Sequence, residues 1–269
     1  EGREKMLAVL PFFHSYGLTS LAMAGVSIAA TLVIHHRFVP RIVLRMIEEH
    51  QPTAFLAVPA MLAALNDILK DRPIQFKAMR NVISGGASLN AEIADEFSRY
   101  SGATIVEGYG MSEASPVICT GPLDGTNRPG TVGMPLPDTD VRIVDAETGL
   151  YSLPPGEVGE LVVKGPQVML GYWNNPEATA EVIRDGWLHT GDLGVVDEDG
   201  FFTIVDRKKD LIITSGFNVY PADVEDVLRQ CPHVEDVAVI GEPHSTCGEV
   251  VKAVVSVKRN SEFDRSRFD

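Results

Sequence analysis

Length, composition and charge limit what this chain can be. Its 269 residues, of which 45% are hydrophobic, suffice for one large domain or two ordinary domains with a buried core. The formal net charge of -14 argues against nucleic acid or anionic lipid as the main partner. The cysteines Cys119, Cys231 and Cys247 are widely spaced and form no CxxC pair, so the sequence indicates neither a disulfide framework nor a zinc site. A reducing, cytoplasmic setting fits this pattern.

The N-terminal segment, residues 6–34, contains no Asp, Glu, Lys or Arg, which is also typical of a membrane span or a signal peptide. Pro11, His14 and Gly17 interrupt it, and the charges in front of it cancel. We therefore predict a buried strand, a loop and a buried helix here. Peripheral contact with a membrane and a homodimer both stay open.

Short apolar runs alternate with helix-like segments over residues 6–118, as in a parallel sheet covered on both faces. This pattern predicts strands at 7–10, 31–35, 53–58, 81–84 and 104–106, and helices at 17–30, 40–50, 59–69 and about 90–100. Ligands of such sheets bind beyond the carboxyl ends of the strands. Three loops leave strands at that edge, at residues 12–16, 84–88 and 107–113, and if they converge they form one pocket.

The second half of the chain changes character, because prolines separate short β-like runs from residue 121 to residue 206. We predict a small distorted barrel with antiparallel strands at 141–145, 160–164 and 201–205, a hairpin turn at Asp199-Gly200 and a helix at 175–183. A charged connector follows at residues 206–210. Beyond it, a small α/β unit is predicted, with strands at 211–214, 237–240 and 250–257 and a helix at 222–230.

The most informative loop is EGYGMSE, residues 107–113. Its glycines let a backbone approach a ligand closely, and Tyr109 offers a flat face for a purine. The Ser112 hydroxyl and the Glu113 carboxylate are hard oxygen ligands of the kind that Mg²⁺ takes together with phosphates. The alternative from these residues alone is a glycine-rich turn with a capping Ser-x-Glu.

Four further signals are weaker when taken alone. His14 follows an apolar run, where a histidine is more often structural than catalytic. The glycine pair in residues 84–87 is common in turns, and Asp192 in HTGD fits a turn residue, although its carboxylate can accept two hydrogen bonds from a ribose diol. The three cations at residues 207–209 fit a solvated linker equally well.

Several longer strings occur in an order that resembles one family. VKGPQVMLGYW, GWLHTGD and VDRKKDLIITSGFNVYP are similar to motifs of the AMP-forming acyl-adenylate ligases, and specifically of their long-chain fatty-acid CoA ligase branch. The resemblance implies an α/β subdomain at 1–120 and a barrel-like subdomain at 121–206, which together form part of the large domain. It also implies a hinge at 207–210 and an incomplete small α/β lid domain at 211–269.

The resemblance also assigns roles to individual residues. Ser112, Glu113 and Lys209 match catalytic positions, with Glu113 as the magnesium ligand and Lys209 as the pivot of the small domain. His14 matches a residue that lines the acyl pocket. The implied nucleotide-binding and cofactor-binding positions are Gly85, Gly86, Ala87, Glu107, Gly108, Tyr109, Gly110, Ser112, Asp192, Arg207, Gly216, Phe217 and Asn218.

Within that set the implied contacts differ. Tyr109 matches the residue that contacts adenine, and Asp192 and Arg207 match residues that bind the ribose. The stretch at residues 216–218 matches a loop that frames the pantetheine tunnel and, in some members, contacts the nucleotide phosphate. Where the family more often has Thr, this chain has Ser112, which keeps the hydroxyl.

The resemblance implies an acid-thiol ligase that uses ATP, Mg²⁺ and coenzyme A to convert a fatty acid into acyl-CoA, AMP and pyrophosphate. The alternatives are an aryl or medium-chain acid, a carrier protein as acceptor, or a catalytically inactive nucleotide-binding or interaction module. An amino-acid substrate is disfavoured because residues 7–32 contain no acidic side chain, and a dehydrogenase because no GxGxxG opens the first βα unit.

Two family elements have no counterpart in the sequence. These are a Ser/Thr/Gly-rich phosphate loop ahead of the region matching Pro11, and the adenylating lysine near the end of the small domain. We therefore expect the chain to correspond to the middle and hinge of such a ligase, and to adenylate weakly or not at all when isolated.

Overall fold

Three β-sheets follow one another along the chain, which the computed structural model describes over residues 2–244 and 246–258. The first sheet contains β1 (Lys5–Ala8), β2 (Thr31–Ile34), β3 (Ala54–Ala57), β4 (Asn81–Ser84), β5 (Thr104–Gly110), β6 (Val117–Thr120) and β7 (Met134–Pro135). The second contains β8 (Asp140–Val144), β9 (Gly159–Lys164), β10 (Ile183–Arg184), β11 (Trp187–Val196) and β12 (Phe202–Arg207). The third contains β13 (Ile212–Thr214), β14 (Phe217–Val219), β15 (Val234–His244) and β16 (Gly248–Val257).

Helices connect the strands of the first sheet and lie at two places in the rest of the chain. They are α1 (Ala24–Ser27), α2 (Pro40–His50), α3 (Pro59–Leu69), α4 (Ala91–Ser101), α5 (Pro176–Val182) and α6 (Pro221–Arg229), and a π-helix (Tyr16–Met23) runs directly into α1. Among the helices of the described residues, none is both long enough and apolar enough to cross a bilayer.

The first sheet has the strand order β2-β1-β3-β4-β5-β6-β7. Strands β1 to β5 are parallel, and β6 and β7 add to one edge in antiparallel fashion. Helices α2, α3 and α4 cover one face of the sheet around fully buried Phe55, Leu62, Leu65 and Phe97, and the π-helix covers the other face through Leu21. Burying each of these side chains contributes roughly 1.5 to 3 kcal/mol. The predicted parallel α/β sheet is confirmed.

Local chemistry explains why α2, α3 and α4 begin where they do. Pro40 and Pro59 occupy the first helical positions of α2 and α3, where the missing N–H leaves no helical hydrogen bond unmade. Asn90 caps α4, and its side chain accepts a 2.7 Å hydrogen bond from the Glu92 amide. Gly102, at φ 70°, ends that helix in the left-handed conformation.

The N-terminal elements differ from their predicted bounds. Strand β1 begins at Lys5, because Lys5 pairs with Thr31 across the sheet, and it ends at Ala8 instead of continuing to residue 10. The predicted helix at 17–30 is shorter and starts as the π-helix. Gly17 packs against the Pro11 carbonyl, and an added Cβ would lie only 2.3 Å from that oxygen.

Two predicted turns of the site are strand instead. Residues 107–110 belong to β5, because Gly108 pairs with Thr120 and Tyr109 pairs with Cys119 on β6. Likewise, residues 190–192 lie within β11, at a bulge between His189 and Leu193. In both places the glycines indicated a loop, whereas pairing with a distant strand keeps the segment within the sheet.

The second sheet has the order β10-β11-β9-β8, and β12 also pairs with β11, on the side away from β9. Ile143, Leu161, Leu188 and Phe202 belong to its core, which also contacts Tyr109 from the first sheet. A bridge between Gly133 and Phe202 joins the two sheets, so they pack as neighbours. The predicted hairpin turn at Asp199-Gly200 is confirmed between β11 and β12, with Gly200 at φ 87°.

The third sheet has the order β14-β13-β16-β15, with α6 packed on it through Ile212, Val234, Val237 and Val239. Its strands β15 and β16 form a longer hairpin than predicted. Strand β14 contains Phe217 and Asn218, which the sequence indicated as part of a loop, and Asn218 pairs with Ile213. A 3₁₀ turn (Lys208–Asp210) joins β12 to this sheet.

Candidate nucleotide site

The loops that follow β1, β4 and β5 lie in contact with one another, as the sequence predicts. The Ser15 and Ser112 hydroxyl oxygens are 3.0 Å apart, and the Tyr16 hydroxyl donates a 3.0 Å hydrogen bond to the Ile83 carbonyl. Gly85 faces the Tyr16 ring, where an added Cβ would lie 3.3 Å from the ring and 3.3 Å from the Gly108 carbonyl oxygen. The absence of a side chain at Gly85 therefore keeps this junction tight.

The second sheet contributes Asp192 to the same place. The Tyr109 hydroxyl donates a 2.6 Å hydrogen bond to Asp192 Oδ2. Pairing of β11 with β12 sets Arg207 opposite Asp192, and Arg207 Nε lies 3.7 Å from Asp192 Oδ1. The Asp192 amide is itself held by the Thr190 hydroxyl at 3.1 Å. Residues from β5, β11 and β12 thus form one polar cluster at the boundary of the two sheets.

The electrostatics of this cluster follow from its partial burial. Burial raises the pKa of Asp192, and the hydrogen bond from Tyr109 and the charge of Arg207 oppose that rise. Burial also raises the pKa of the Tyr109 phenol, and the neighbouring Asp192 charge raises it further. Tyr109 is therefore a neutral donor at physiological pH, while Asp192 is an acceptor with an 18% exposed side chain that can still reach a ligand.

Ser112 and Glu113 lie on a 3₁₀ turn directly after β5. The Tyr172 hydroxyl donates a 2.8 Å hydrogen bond to Glu113 Oε1, and the Glu113 carbonyl accepts a 2.8 Å hydrogen bond from the Met169 amide. The second carboxylate oxygen and the exposed Ser112 hydroxyl fit Mg²⁺, which binds proteins through one or two carboxylates plus substrate phosphates. The described residues hold no group of three or more His, Cys, Asp or Glu placed to bind a metal.

Glu107 points into a different space from Tyr109. Its carboxylate accepts a 3.3 Å hydrogen bond from the Gly130 amide, and burial raises its pKa. A cavity of about 250 Å³ adjoins it between α4, β5 and the loop at 127–131, and neither Tyr109 nor Asp192 lines that cavity. The structure therefore separates Glu107 from the polar cluster, although the sequence placed both in one loop.

The remaining predicted site residues lie outside the polar cluster. His14 is exposed and accepts a 3.3 Å hydrogen bond from the Tyr16 amide. Lys209 is exposed on the 3₁₀ turn. Gly216 forms the tight turn between β13 and β14 at φ 83°, and Phe217 is 73% exposed. Phe217 and Asn218 are paired with β13 within the third sheet in this conformation.

Gly86, Ala87 and Gly110 complete the predicted set. Gly86 adopts φ 81° just after Gly85, which turns the chain away from β4, and Ala87 follows it on the same turn. Gly110 packs against β6, where an added Cβ would lie 1.8 Å from the Pro116 carbonyl oxygen. These positions shape the backbone around Tyr109 and present no side-chain chemistry of their own.

Sequence reasoning did not assign a role to Glu160, a buried acid on β9. Its carboxylate accepts hydrogen bonds from the Lys208 ammonium at 2.9 Å and from the Gly191 amide at 3.2 Å. His189 Nδ1 lies 3.4 Å from the same carboxylate. Burial raises the pKa of Glu160, but Lys208 and His189 outweigh it and hold the pKa below its ordinary value. The available signal was an acidic residue next to the apolar run LVV of strand β9.

Two family models match the chain. The model described as AMP-binding enzyme matches residues 1–173, and that described as AMP-binding enzyme C-terminal domain matches residues 223–267. The chain belongs to the AMP-binding enzyme family. The three loops that meet beyond β1, β4 and β5 lie within the first match, and the part of the third sheet from α6 onward lies largely within the second.

Relatives of this AMP-binding enzyme cover its whole length. It is 43% identical over 269 residues to a long-chain-fatty-acid-CoA ligase of Bacillus subtilis (strain 168), covering 100% of this chain and 48% of that protein. It is 42% identical over 264 residues to a feruloyl-CoA synthase of an Amycolatopsis species, covering 97% of this chain and 53% of that protein. The chain thus spans about half the length of the curated relatives it matches.

Among solved structures, the ATP-bound MatB from Rhodopseudomonas palustris superposes with a TM-score of 0.89 at 37% identity. The match covers 97% of this chain and 51% of that protein. The similarity extends over all three sheets, so the AMP-binding enzyme fold applies to the whole described chain.

Proposed function

We propose that the protein containing this chain joins a carboxylic acid to coenzyme A through an acyl-adenylate. In the first step the acid's carboxylate attacks the α-phosphorus of ATP, and pyrophosphate leaves. In the second step the thiol of coenzyme A attacks the carbonyl carbon of the acyl-adenylate, and AMP leaves. The acid is a long-chain fatty acid.

The contact between Tyr109 and Asp192 is the observation that supports this proposal most. The two residues are 83 positions apart, yet their side chains meet at 2.6 Å, where the carboxyl ends of the parallel strands open. An aromatic face can stack on a purine, and a carboxylate can accept two hydrogen bonds from a ribose diol. Arg207 adds a cation beside them, and an overall charge of -14 makes such a local cation valuable for an anionic ligand.

Ser112 and Glu113 would hold Mg²⁺ in this proposal. When bound, the ion neutralises charge on the nucleotide phosphates. The Tyr172 hydroxyl fixes the Glu113 carboxylate at 2.8 Å, so the ligand oxygen needs little reorganisation. This chain's own contribution is to orient the nucleotide, with the purine against the Tyr109 ring and the ribose hydroxyls at the Asp192 carboxylate.

The choice of a long-chain acid is supported by the name of the Bacillus subtilis relative and by the apolar wall beside His14. That wall contains Phe12, Tyr16 and Leu21, which pack together at the end of β1. An aromatic acid is the second candidate, since a relative of nearly equal identity is named a feruloyl-CoA synthase. Both acids leave the adenylate chemistry unchanged.

The domain organisation belongs to the same proposal. We assign residues 1–120 and 121–206 to two subdomains of the large domain, 207–210 to the hinge and 211–269 to the lid. Lys209 is the pivot, and rotation brings Gly216, Phe217 and Asn218 towards the acyl-adenylate. The exposure of Lys209 and Phe217 in the present conformation supports a segment that moves.

Calorimetric titration with non-hydrolysable acyl-sulfamoyl adenosines tests this function. We expect the chain to bind a hexadecanoyl mimic more tightly than a feruloyl mimic, and Tyr109→Leu and Asp192→Asn each to weaken binding by about tenfold or more. The reverse preference would favour the aromatic acid. Binding that is unchanged in both variants would reject the nucleotide site itself.

A further inference from the structure

Glu160 is a buried charge that the proposed chemistry does not use. It lies on β9, between β8 and β11, and only 3% of its surface is exposed. Removing a carboxylate from water is costly unless the charge is paired and hydrogen-bonded. Here both carboxylate oxygens have partners: Oε1 accepts the Gly191 amide, and Oε2 accepts the Lys208 ammonium. Each partner belongs to a different functional segment.

The first partner fixes the bulge that presents Asp192. Gly191 is at φ 73°, the left-handed conformation, within the bulge of β11. Thr190 donates its hydroxyl to the Leu161 carbonyl at 2.7 Å, next to Glu160 on β9. Asp192 thus points at Tyr109 because β9 holds the two residues before it.

The second partner fixes the start of the connector to the third sheet. Lys208 opens the 3₁₀ turn (Lys208–Asp210), and its side chain is 38% exposed, while Glu160 is almost fully buried. Asp206, at the end of β12, accepts a hydrogen bond from the Ala222 amide of α6 at 3.2 Å. The connector is therefore tied to the second sheet at Lys208, whereas Lys209 and Asp210 are exposed to solvent.

We propose that Glu160 is a positioning residue that fixes both the bulge carrying Asp192 and the first residue of the connector to the third sheet. Its carboxylate thus joins the bulge that carries Asp192 to the connector that leads to the third sheet. Any rotation of the third sheet then starts after Lys208. The statement about Asp192 rests on the proposed function, whereas the statement about the connector does not.

Hydrogen exchange of three variants provides the test. Glu160→Gln keeps the shape but removes the charge, so it weakens the charge-assisted hydrogen bond from the Gly191 amide and loses the ion pair with Lys208. We expect amides at 190–193 and 208–212 to exchange about tenfold faster in this variant. Lys208→Met should accelerate exchange at 208–212, and Lys208→Arg should restore the wild-type rate. Lys252→Met removes an ion pair with Glu242 on the third sheet and serves as the matched control.

A second readout separates positioning from plain stability. The charge of Glu160 contributes to the raised pKa of Asp192. The pH at which AMP binding is half lost on acidification should therefore shift downwards in Glu160→Gln, while Lys252→Met leaves it unchanged. A variant that only loosened the fold would lower affinity without moving that midpoint.

Each outcome decides part of the proposal. Wild-type exchange in both segments of Glu160→Gln, with an unchanged pH midpoint, would overturn it. If Glu160→Gln does not fold, then Lys208→Met and Lys208→Arg decide the connector statement by themselves. If the wild-type chain binds no AMP, the proposed function fails, and the exchange rates at 190–193 and 208–212 still decide whether Glu160 holds both segments.

Discussion

At the scale of single residues, Asp192 combines two demands that usually conflict. It must be buried enough to be held by Tyr109, and exposed enough to accept hydrogen bonds from a ligand. Its backbone amide is fixed by Thr190, so the carboxylate is oriented before a ligand arrives. Such preorganisation reduces the conformational entropy lost on binding.

Replacing Asp192 by asparagine should weaken AMP binding. The variant keeps the shape but loses charge-assisted hydrogen bonds, which contribute about 1.5 to 3 kcal/mol each, so affinity should fall roughly tenfold to a hundredfold. Isothermal titration calorimetry measures the effect. Asp140→Asn on β8 is the control, because that aspartate is exposed on the same sheet and should leave affinity unchanged. Equal affinities in the two variants would contradict the role of Asp192.

The raised pKa of Asp192 predicts how nucleotide binding depends on pH. Burial disfavours the charged form, so the carboxylate becomes protonated at a higher pH than an ordinary aspartate does on acidification. AMP affinity should therefore be full above the raised pKa and decline as the pH falls through it. Because the AMP phosphate also titrates near pH 6, Asp192→Asn supplies the baseline. Parallel pH profiles in wild type and variant would refute the prediction.

The carboxylates of Asp192 and Glu160 have opposite effects on how the stability of the fold depends on pH. The raised pKa of Asp192 means that the folded chain binds more protons than the unfolded chain, so this group lowers the free energy of unfolding as the pH rises through that interval. Glu160 has a lowered pKa, so its stabilising contribution is present above its unfolded pKa and is lost as the pH falls through the folded one. Glu160→Gln should therefore flatten the acid limb of the thermal-stability curve, measured as Tm from pH 7 downwards.

At the scale of elements, strand β5 is longer than its sequence indicates and includes the first residues of the candidate site. A loop was predicted from residue 107, yet the chain stays extended to Gly110 because β6 pairs with it. The close approach at Gly110 makes this pairing sensitive to any side chain, since a Cβ would lie 1.8 Å from the Pro116 carbonyl oxygen. The glycines here serve sheet packing as well as ligand access.

Gly110→Ala should therefore destabilise the fold more than Gly108→Ala. The alanine at 110 overlaps a backbone atom that cannot move without breaking the β5–β6 pairing, and overpacking of this kind costs about 1 to 3 kcal/mol or more. At Gly108, an added Cβ meets its nearest atoms at 3.6 to 3.7 Å, which is ordinary contact. Chemical denaturation measures both, and a similar loss in the two variants would show that the overlap at 110 is relieved elsewhere.

Elements with strong local signals were predictable from the sequence. Helices Pro40–His50 and Pro59–Leu69 and strand Asn81–Ser84 have the predicted bounds, because a first-turn proline or an uninterrupted apolar run specifies them locally. The bulge at residues 190–192 was not predictable in this way. Its conformation depends on Glu160, which is distant in sequence, and Gly191 with Asp192 gives the local signature of a turn.

In the candidate site too, features set by local sequence were predictable and those set by distant contacts were not. The sequence pattern placed Tyr109, Ser112 and Glu113 in one stretch, and the structure has them at the end of β5 and on the 3₁₀ turn that follows. The pattern also placed Glu107 with them, but the Gly130 amide holds that carboxylate on the far side, beside the cavity. Contacts with partners from another element decide such orientations, and composition does not contain them.

At the scale of the whole molecule, the three sheets differ in how much apolar surface they bury. Among the described residues, the first sheet has one buried cluster of 18 residues and a second of five, whereas the core of the third sheet contains four: Ile212, Val234, Val237 and Val239. Much of β16 is exposed, and the third sheet is joined to the rest by one connector and by the Asp206 contact with α6. Cooperative unfolding units follow such boundaries.

We therefore predict that the third sheet opens independently of the first. Amides of β15 and β16 should exchange at least about a hundredfold faster than those of β3 and β4, because local opening exposes far less apolar surface. Hydrogen exchange with mass spectrometry under native conditions measures both sets in one experiment, and the second sheet, with its larger core around Leu161 and Leu188, serves as an intermediate reference. Common protection across all three sheets would mean that the chain unfolds as one unit, and would leave no independent lid.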